Sequence, residues 1–228
     1  ALNSIADDIA EFKRQLSLRE HWHNETFAFN ISVKAAMRER GAEAAPVMVN
    51  EIKQMLDKSV WHGVHVGSLT GKQRRAIIRS TMFLKDKYSA SGEWTKFKAR
   101  LVAGGDQQDK SLYDALSSPT AATSSVLTVA AIAASERRHV VVIDIGGAYL
   151  NADLAPTGIK VHMRLDRVMA AMLVKLDPSY SVFIEPGKDT IVVELDKALY
   201  GCVEASSLWY NDLRCKLQAD GFEANPFD

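Results

Sequence analysis

The run Val140-Val141-Val142-Ile143-Asp144-Ile145-Gly146-Gly147-Ala148-Tyr149-Leu150-Asn151 constrains this chain more than any other stretch. Its β-branched half predicts one buried strand, because such residues pack well on a pleated sheet and a strand covered on both faces reads as an unbroken apolar run. That strand delivers a single carboxylate, Asp144, and then bends at two glycines beside an aromatic ring. A buried carboxylate without a partner is costly, so Asp144 must be solvated, hydrogen-bonded or bound to a cation. One reading is a metal ligand at the mouth of a cleft. The other is an Asp that accepts amide hydrogen bonds in the turn that follows.

With 228 residues the chain can bury a substantial core, in one large domain or two small ones. Its formal net charge is zero, which gives no global signal for a polyanionic partner. The distribution is less even: residues 71–110 hold ten Lys/Arg against four Asp/Glu, whereas residues 111–228 hold ten against fifteen. Basic charge is thus concentrated next to a mildly acidic remainder that includes Asp144. Two cysteines, Cys202 and Cys215, do not make a disulfide framework, and a reducing, intracellular compartment is the default. No apolar stretch approaches the length of a membrane span, and no secretory signal opens the chain. It begins at Ala1 without an initiator Met, which reads as a fragment or a processed piece.

Residues 4–18 form an amphipathic helical pattern through Ile5, Ile9, Phe12 and Leu16, and residues 1–30 are read as an N-terminal helical extension. The pairs His21/His23 and His62/His65 lack a third ligand nearby and read as surface residues. Two helical patterns between residues 31 and 60 are separated near Arg40-Gly41, with Pro46 near the start of the second. Residues 61–67 are extended. A β-hairpin follows, with arms over residues 81–88 and 94–102 and a turn at Ser89-Ala90-Ser91-Gly92. Alternation places Lys85 and Lys87 on one face of the first arm, and Lys96, Lys98 and Arg100 on one face of the second. Such a cationic flap suits a phosphate chain or a nucleic-acid backbone, and equally a solvated face. Further on, the pattern predicts a helix over 120–136, a strand over 160–164 and a helix over 166–176 capped by Asp166. A second hairpin has strands at 181–184 and 190–195, and the last helix covers 205–219 with Gly221 beyond its end. Strands and helices mix without strict βαβ alternation, which predicts an α+β fold.

Three stretches carry a resemblance. Phe97-Lys98-Ala99-Arg100-Leu101-Val102-Ala103-Gly104-Gly105 comes first, then Ile143-Asp144-Ile145-Gly146-Gly147-Ala148-Tyr149-Leu150-Asn151-Ala152-Asp153-Leu154. Leu195-Asp196-Lys197-Ala198-Leu199-Tyr200-Gly201-Cys202, with Leu208-Trp209-Tyr210 beyond it, completes the set. In this order and at these separations they resemble the reverse transcriptase, an RNA-dependent DNA polymerase, of copia-type retrotransposons. The similarity covers roughly residues 31–228.

The resemblance implies a right-hand polymerase of which this chain is the fingers and part of the palm, with a mixed or antiparallel sheet and flanking helices. It implies template-directed DNA synthesis from dNTPs on an RNA or DNA template with a primer. Asp144 matches the first catalytic aspartate, which binds both magnesium ions, with the backbone carbonyl of Ile145 as a further ligand. Tyr149 resembles the aromatic that senses the sugar, where a ring beneath the deoxyribose excludes a 2′-hydroxyl. Gly147 and Ala148 would offer backbone N–H groups to the triphosphate, the hairpin would close over it through Lys85, Lys98 and Arg100, and Tyr200-Gly201 would lie against base and template. The setting implied is a polyprotein in the cytoplasm, within a virus-like particle, and/or in the nucleus, with no membrane partner.

Two departures matter. Val203-Glu204 stands where a Lys-Gln pair is frequent in the family, and Ser206 stands where proline is frequent. The aromatic-x-Asp-Asp hairpin that completes the metal site does not occur in residues 1–228, and the only Asp-Asp pair is Asp7-Asp8. The expectation is an isolated chain without polymerase activity, lacking the rest of the palm, the thumb and the ribonuclease H domain. Two rivals are a non-catalytic nucleic-acid-binding remnant of a decayed element and a phosphotransferase like the sugar and acetate kinases, whose first phosphate turn Ile143-Asp144-Ile145-Gly146-Gly147 also resembles.

Overall fold

Alternation in the basic window forms the hairpin it predicts. In a computed structural model that describes residues 31–89, 91–113 and 117–224, strand β3 (Ile78–Tyr88) pairs with β4 (Trp94–Ala103), and the turn closes through Ser89 N–H donating to the Glu93 carbonyl at 2.8 Å. Met82, Leu84, Phe97, Ala99 and Leu101 are buried, while Lys85, Lys87, Lys96, Lys98 and Arg100 are exposed. The period of two therefore separates an apolar from a cationic face.

The described residues divide into two compact units, one drawn from residues 31–51 and 82–100 and the other from residues 52–81 and 101–224. In the first, β1 (Ile31–Ser32) pairs antiparallel with β3 in the register Ile31↔Leu84 and Ser32↔Phe83. Helix α1 (Val33–Asp57) contributes Ala36, Ala44 and Met48 to the core. It is one helix, not the two read from the sequence. A buried stripe that continues through Ile52 and Met55 outweighs the helix-breaking preference of Gly41 and Pro46.

In the second unit the start of β3 runs parallel to β5 (His162–Leu165), with Ile78↔Met163 and Arg79↔Arg164. Strand β6 (Ile191–Leu195) lies antiparallel between β5 and β2 (Trp61–Val64). The fold is thus a mixed sheet with flanking helices. Helix α2 (Gly71–Arg75) starts at a capping box made by Thr70 and Gln73. Helix α3 spans Thr123–Ser135. Helix α4 (Arg167–Leu176) starts where Asp166 accepts the Met169 N–H at 2.9 Å, and it packs on β5 and on the turn Pro178–Phe183. Helix α5 (Ala205–Ala219) ends before Gly221, which adopts φ 88°.

Two expected strands are corrected. Residues 181–184 belong mostly to a 3₁₀ turn (Pro178–Phe183), started by Asp177 accepting the Ser179 N–H, and retain a single bridge, Ile184↔Ile191. More consequentially, residues 140–145 form no strand, and Val140, Val141, Val142 and Ile143 are 67–91% exposed. A strand needs a neighbour to take its backbone hydrogen bonds, and among the described residues none pairs with this run. The expected helix over 4–18, with His21 and His23, lies outside the described residues. Among the described residues no helix is long and apolar enough to cross a membrane.

Candidate functional site

Two turns of the second unit are built against each other by backbone. Leu154 N–H donates to the Asp196 carbonyl at 2.9 Å, Ala198 N–H donates to the Ala152 carbonyl at 2.8 Å, and Asp153 bridges Lys197 in antiparallel fashion. The segment carrying Tyr149 is thereby tied to the segment carrying Tyr200. Their rings meet, with centroids 4.9 Å apart and planes inclined by 52°. Both rings are half-buried, while Leu150 between the turns is 1% exposed and anchors the first one, on which α5 also packs.

Tyr200 is held from a second side by the end of β4. Ala103 N–H donates to the Tyr200 carbonyl at 2.7 Å. A Cβ on Gly105 would stand 1.9 Å from the Gly201 carbonyl oxygen, and one on Gly201, whose φ is 89°, would stand 2.2 Å from the Ala103 carbonyl oxygen. Backbone approaches backbone here without room for a side chain. These glycines occupy two of the three sequence stretches singled out above, and the structure shows what joins them.

The turn at Gly147 has a different support. Gly147 is left-handed, with φ 62° and ψ 44°, and opens a 3₁₀ turn over Ala148–Asn151. Where its side chain would lie, the space is taken by the Gln54 amide nitrogen and the Lys58 stem, 2.9 and 3.4 Å from the ideal Cβ position. Lys58 Nζ donates to Asn151 Oδ1 at 2.7 Å, and Asn151 Nδ2 donates to the Gly147 carbonyl at 3.3 Å. Neither Gln54 nor Lys58 is singled out by the sequence, because 93 residues separate Lys58 from Asn151.

Asp144 and Ile145 sit elsewhere than expected. They belong to the exposed irregular segment rather than to the end of a buried strand, so the cost of burying a carboxylate does not arise. Lys85, Lys98 and Arg100 are exposed on the hairpin of the first unit, and Gly147, Ala148, Tyr149, Tyr200 and Gly201 belong to the second. His62 is a surface residue whose Nδ1 lies 2.9 Å from Asp196. Among the described residues no three His, Cys, Asp or Glu side chains are grouped so as to hold a metal ion.

Glu204, which departs from the family pattern, is a buried polar residue. It is 2% exposed and accepts from Gln108 Nε2 at 3.0 Å, and the same nitrogen donates to the Tyr113 hydroxyl at 2.7 Å. The Val203 N–H donates to Gln108 Oε1 at 2.9 Å. The carboxylate thus faces inward. Burial raises its pKa, and burial together with Glu204 pushes the Tyr113 hydroxyl up to about 12. Cys202 is free and buried, its thiol likewise pushed up to about 12 by burial, while Cys215 is free and exposed.

The family model described as reverse transcriptase (RNA-dependent DNA polymerase) matches residues 59–228. The chain belongs to this family. The matched region holds the Gly147 turn, the Tyr149–Tyr200 pair and the Gly105–Gly201 contact of this reverse transcriptase domain. Among curated proteins the chain is 29% identical over 147 residues to a retrovirus-related Pol polyprotein from transposon RE1 of Arabidopsis thaliana, covering 64% of this chain and 9% of that one. It is 30% identical over 134 residues to the corresponding polyprotein from transposon TNT 1-94 of Nicotiana tabacum, covering 58% and 9%. It is 23% identical over 200 residues to the transposon Ty1-BL Gag-Pol polyprotein of Saccharomyces cerevisiae, covering 86% and 10%. The chain spans about a tenth of the length of these relatives. No solved structure matches. The family match does not favour a kinase-like phosphotransferase, and residues 140–145 do not form the strand that its phosphate turn requires.

Proposed function

We propose that this reverse transcriptase domain forms the nucleotide-handling fingers and part of the palm of a copia-type retrotransposon polyprotein, in the cytoplasm or nucleus, and takes part in DNA synthesis from dNTPs on an RNA or DNA template. The observation that supports the reading is the Tyr149–Tyr200 ring pair, whose centroids lie 4.9 Å apart. A ring packed under a deoxyribose discriminates sterically, because a 2′-hydroxyl has no space beside it. In this reading Gly147 and Ala148 present amides to the triphosphate, Tyr200 and Gly201 border base and template, and Lys85, Lys98 and Arg100 supply cationic contacts from the hairpin. Phosphate oxygens favour such charge-assisted bonds.

Divalent magnesium takes oxygen ligands in near-octahedral geometry. Asp144 and the Ile145 carbonyl supply such oxygens from an exposed segment, but the described residues do not by themselves make a two-ion site. We assign Asp144 one carboxylate of a shared site, and the 228-residue chain alone is expected not to extend a primer. The test is primer extension by the Pol polyprotein that carries this chain, with magnesium and a defined template. Asp144→Asn is expected to lower extension by at least a hundredfold, in line with loss of a metal-bound carboxylate's charge. Extension that persists unchanged in this variant removes Asp144 from the site.

A further inference from the structure

We propose that Lys58 is a positioning residue for nucleotide sugar selection: acting through Asn151, it holds the Gly147 turn and so fixes the Tyr149 ring against Tyr200. The sugar role rests on the polymerase reading above, whereas the hold on the turn is visible without it.

Lys58 follows α1 directly, and its own N–H donates to the Gln54 carbonyl at 3.2 Å, so the side chain starts from an anchored helix end. Its ammonium can only donate, which turns Asn151 Oδ1 toward Nζ at 2.7 Å and leaves Asn151 Nδ2 for the Gly147 carbonyl. That carbonyl also accepts the Leu150 N–H at 3.0 Å, and the Tyr149 carbonyl accepts the Ala152 N–H at 3.0 Å. The relay therefore ends on the peptide group around which the tyrosine-bearing turn closes. The Lys58 stem and the Gln54 amide fill the space beside Gly147, so the turn is gripped laterally as well.

Such an anchor is needed because of what precedes the turn. Residues 140–145 form no strand and are exposed, so the backbone upstream of Gly147 offers no rigid entry. The turn is held from downstream by Leu150 and from the side by Lys58. A bond from an ammonium is about twice as strong as one between neutral groups, and Lys58 is the only charged donor in the relay.

Two measurements test this. In the 228-residue chain, amide hydrogen exchange at Leu150 and Ala152 is expected to speed up on the order of tenfold in Lys58→Met, while Val192 and Val193 in β6 stay protected and show the fold to be intact. Lys58→Arg, which keeps a charged donor, is expected to restore much of the protection. Unchanged exchange at Leu150 and Ala152 in Lys58→Met overturns the proposal. In the Pol polyprotein carrying the chain, Lys58→Met is expected to raise KM for dNTP about tenfold, with a smaller change in kcat, and to weaken the preference for dNTP over rNTP. Asn151→Ala is expected to act the same way, and the double variant no worse than either single one. A lower kcat with KM and sugar preference unchanged, or fully additive losses, overturns the sugar role. If the unaltered polyprotein fails to extend a primer, the polymerase reading falls and the sugar role with it, while the exchange result still judges the anchor.

Discussion

Strand β6 and residues 140–145 are nearly the same peptide in two situations. Ile191-Val192-Val193-Glu194-Leu195 lies between β5 and β2, and its four apolar residues are at most 3% exposed. Val140-Val141-Val142-Ile143 has the same β-branched character and is 67–91% exposed without strand pairing. The difference teaches that β-propensity describes how well a residue suits a sheet and does not by itself make one. What β6 has is a neighbour on each edge to take its backbone groups, and α4 beside the sheet in the same unit.

The comparison breaks most visibly on a buried charge. Val193→Asp is expected to cost on the order of 4 kcal/mol, because an unpaired carboxylate would replace a fully buried side chain, while Val142→Asp stays within about 0.5 kcal/mol. Urea unfolding measures both, and equal losses would mean that residues 140–145 are as buried as β6. The glycines sharpen the contrast between rigid and open backbone at the site itself. Gly105→Ala must push the Gly201 carbonyl away and is expected to cost about 1–3 kcal/mol and to alter the Tyr149–Tyr200 signals in the near-ultraviolet, whereas Gly146→Ala meets open space and is expected to change neither. Equal effects of the two would deny the close packing between the end of β4 and the Tyr200 turn.

The smallest effect concerns Glu204. Burial raises its pKa above the ordinary 4.5, so between that value and the raised one the folded chain keeps a proton that the unfolded chain has lost. Stability therefore falls as pH rises through this window, and the penalty is complete above it. Glu204→Gln, which keeps the shape and an acceptor for Gln108, is expected to raise the melting temperature at pH 7 and to leave it unchanged at pH 4 or below. A variant that is no more stable at pH 7 would show that the hydrogen bonds from Gln108 and Tyr113 already compensate the buried charge.

Much of this protein was legible along the chain. The hairpin of residues 78–103, the cap at Asp166 and helix α5 follow from side-chain period and from residues that bond within three or four positions, and such local rules act wherever the segment lies. The three motif stretches likewise named the glycines and tyrosines that the second unit brings together. Only the tertiary structure decided that α1 runs through Gly41 and Pro46, that residues 140–145 stay unpaired, that Glu204 turns inward, and that Lys58 grips the Gly147 turn through Asn151. Each of these depends on which distant segment lies alongside: a buried stripe can outweigh local helix breakers, and a strand, an inward carboxylate or a lysine clasp exists only when its partner is within reach.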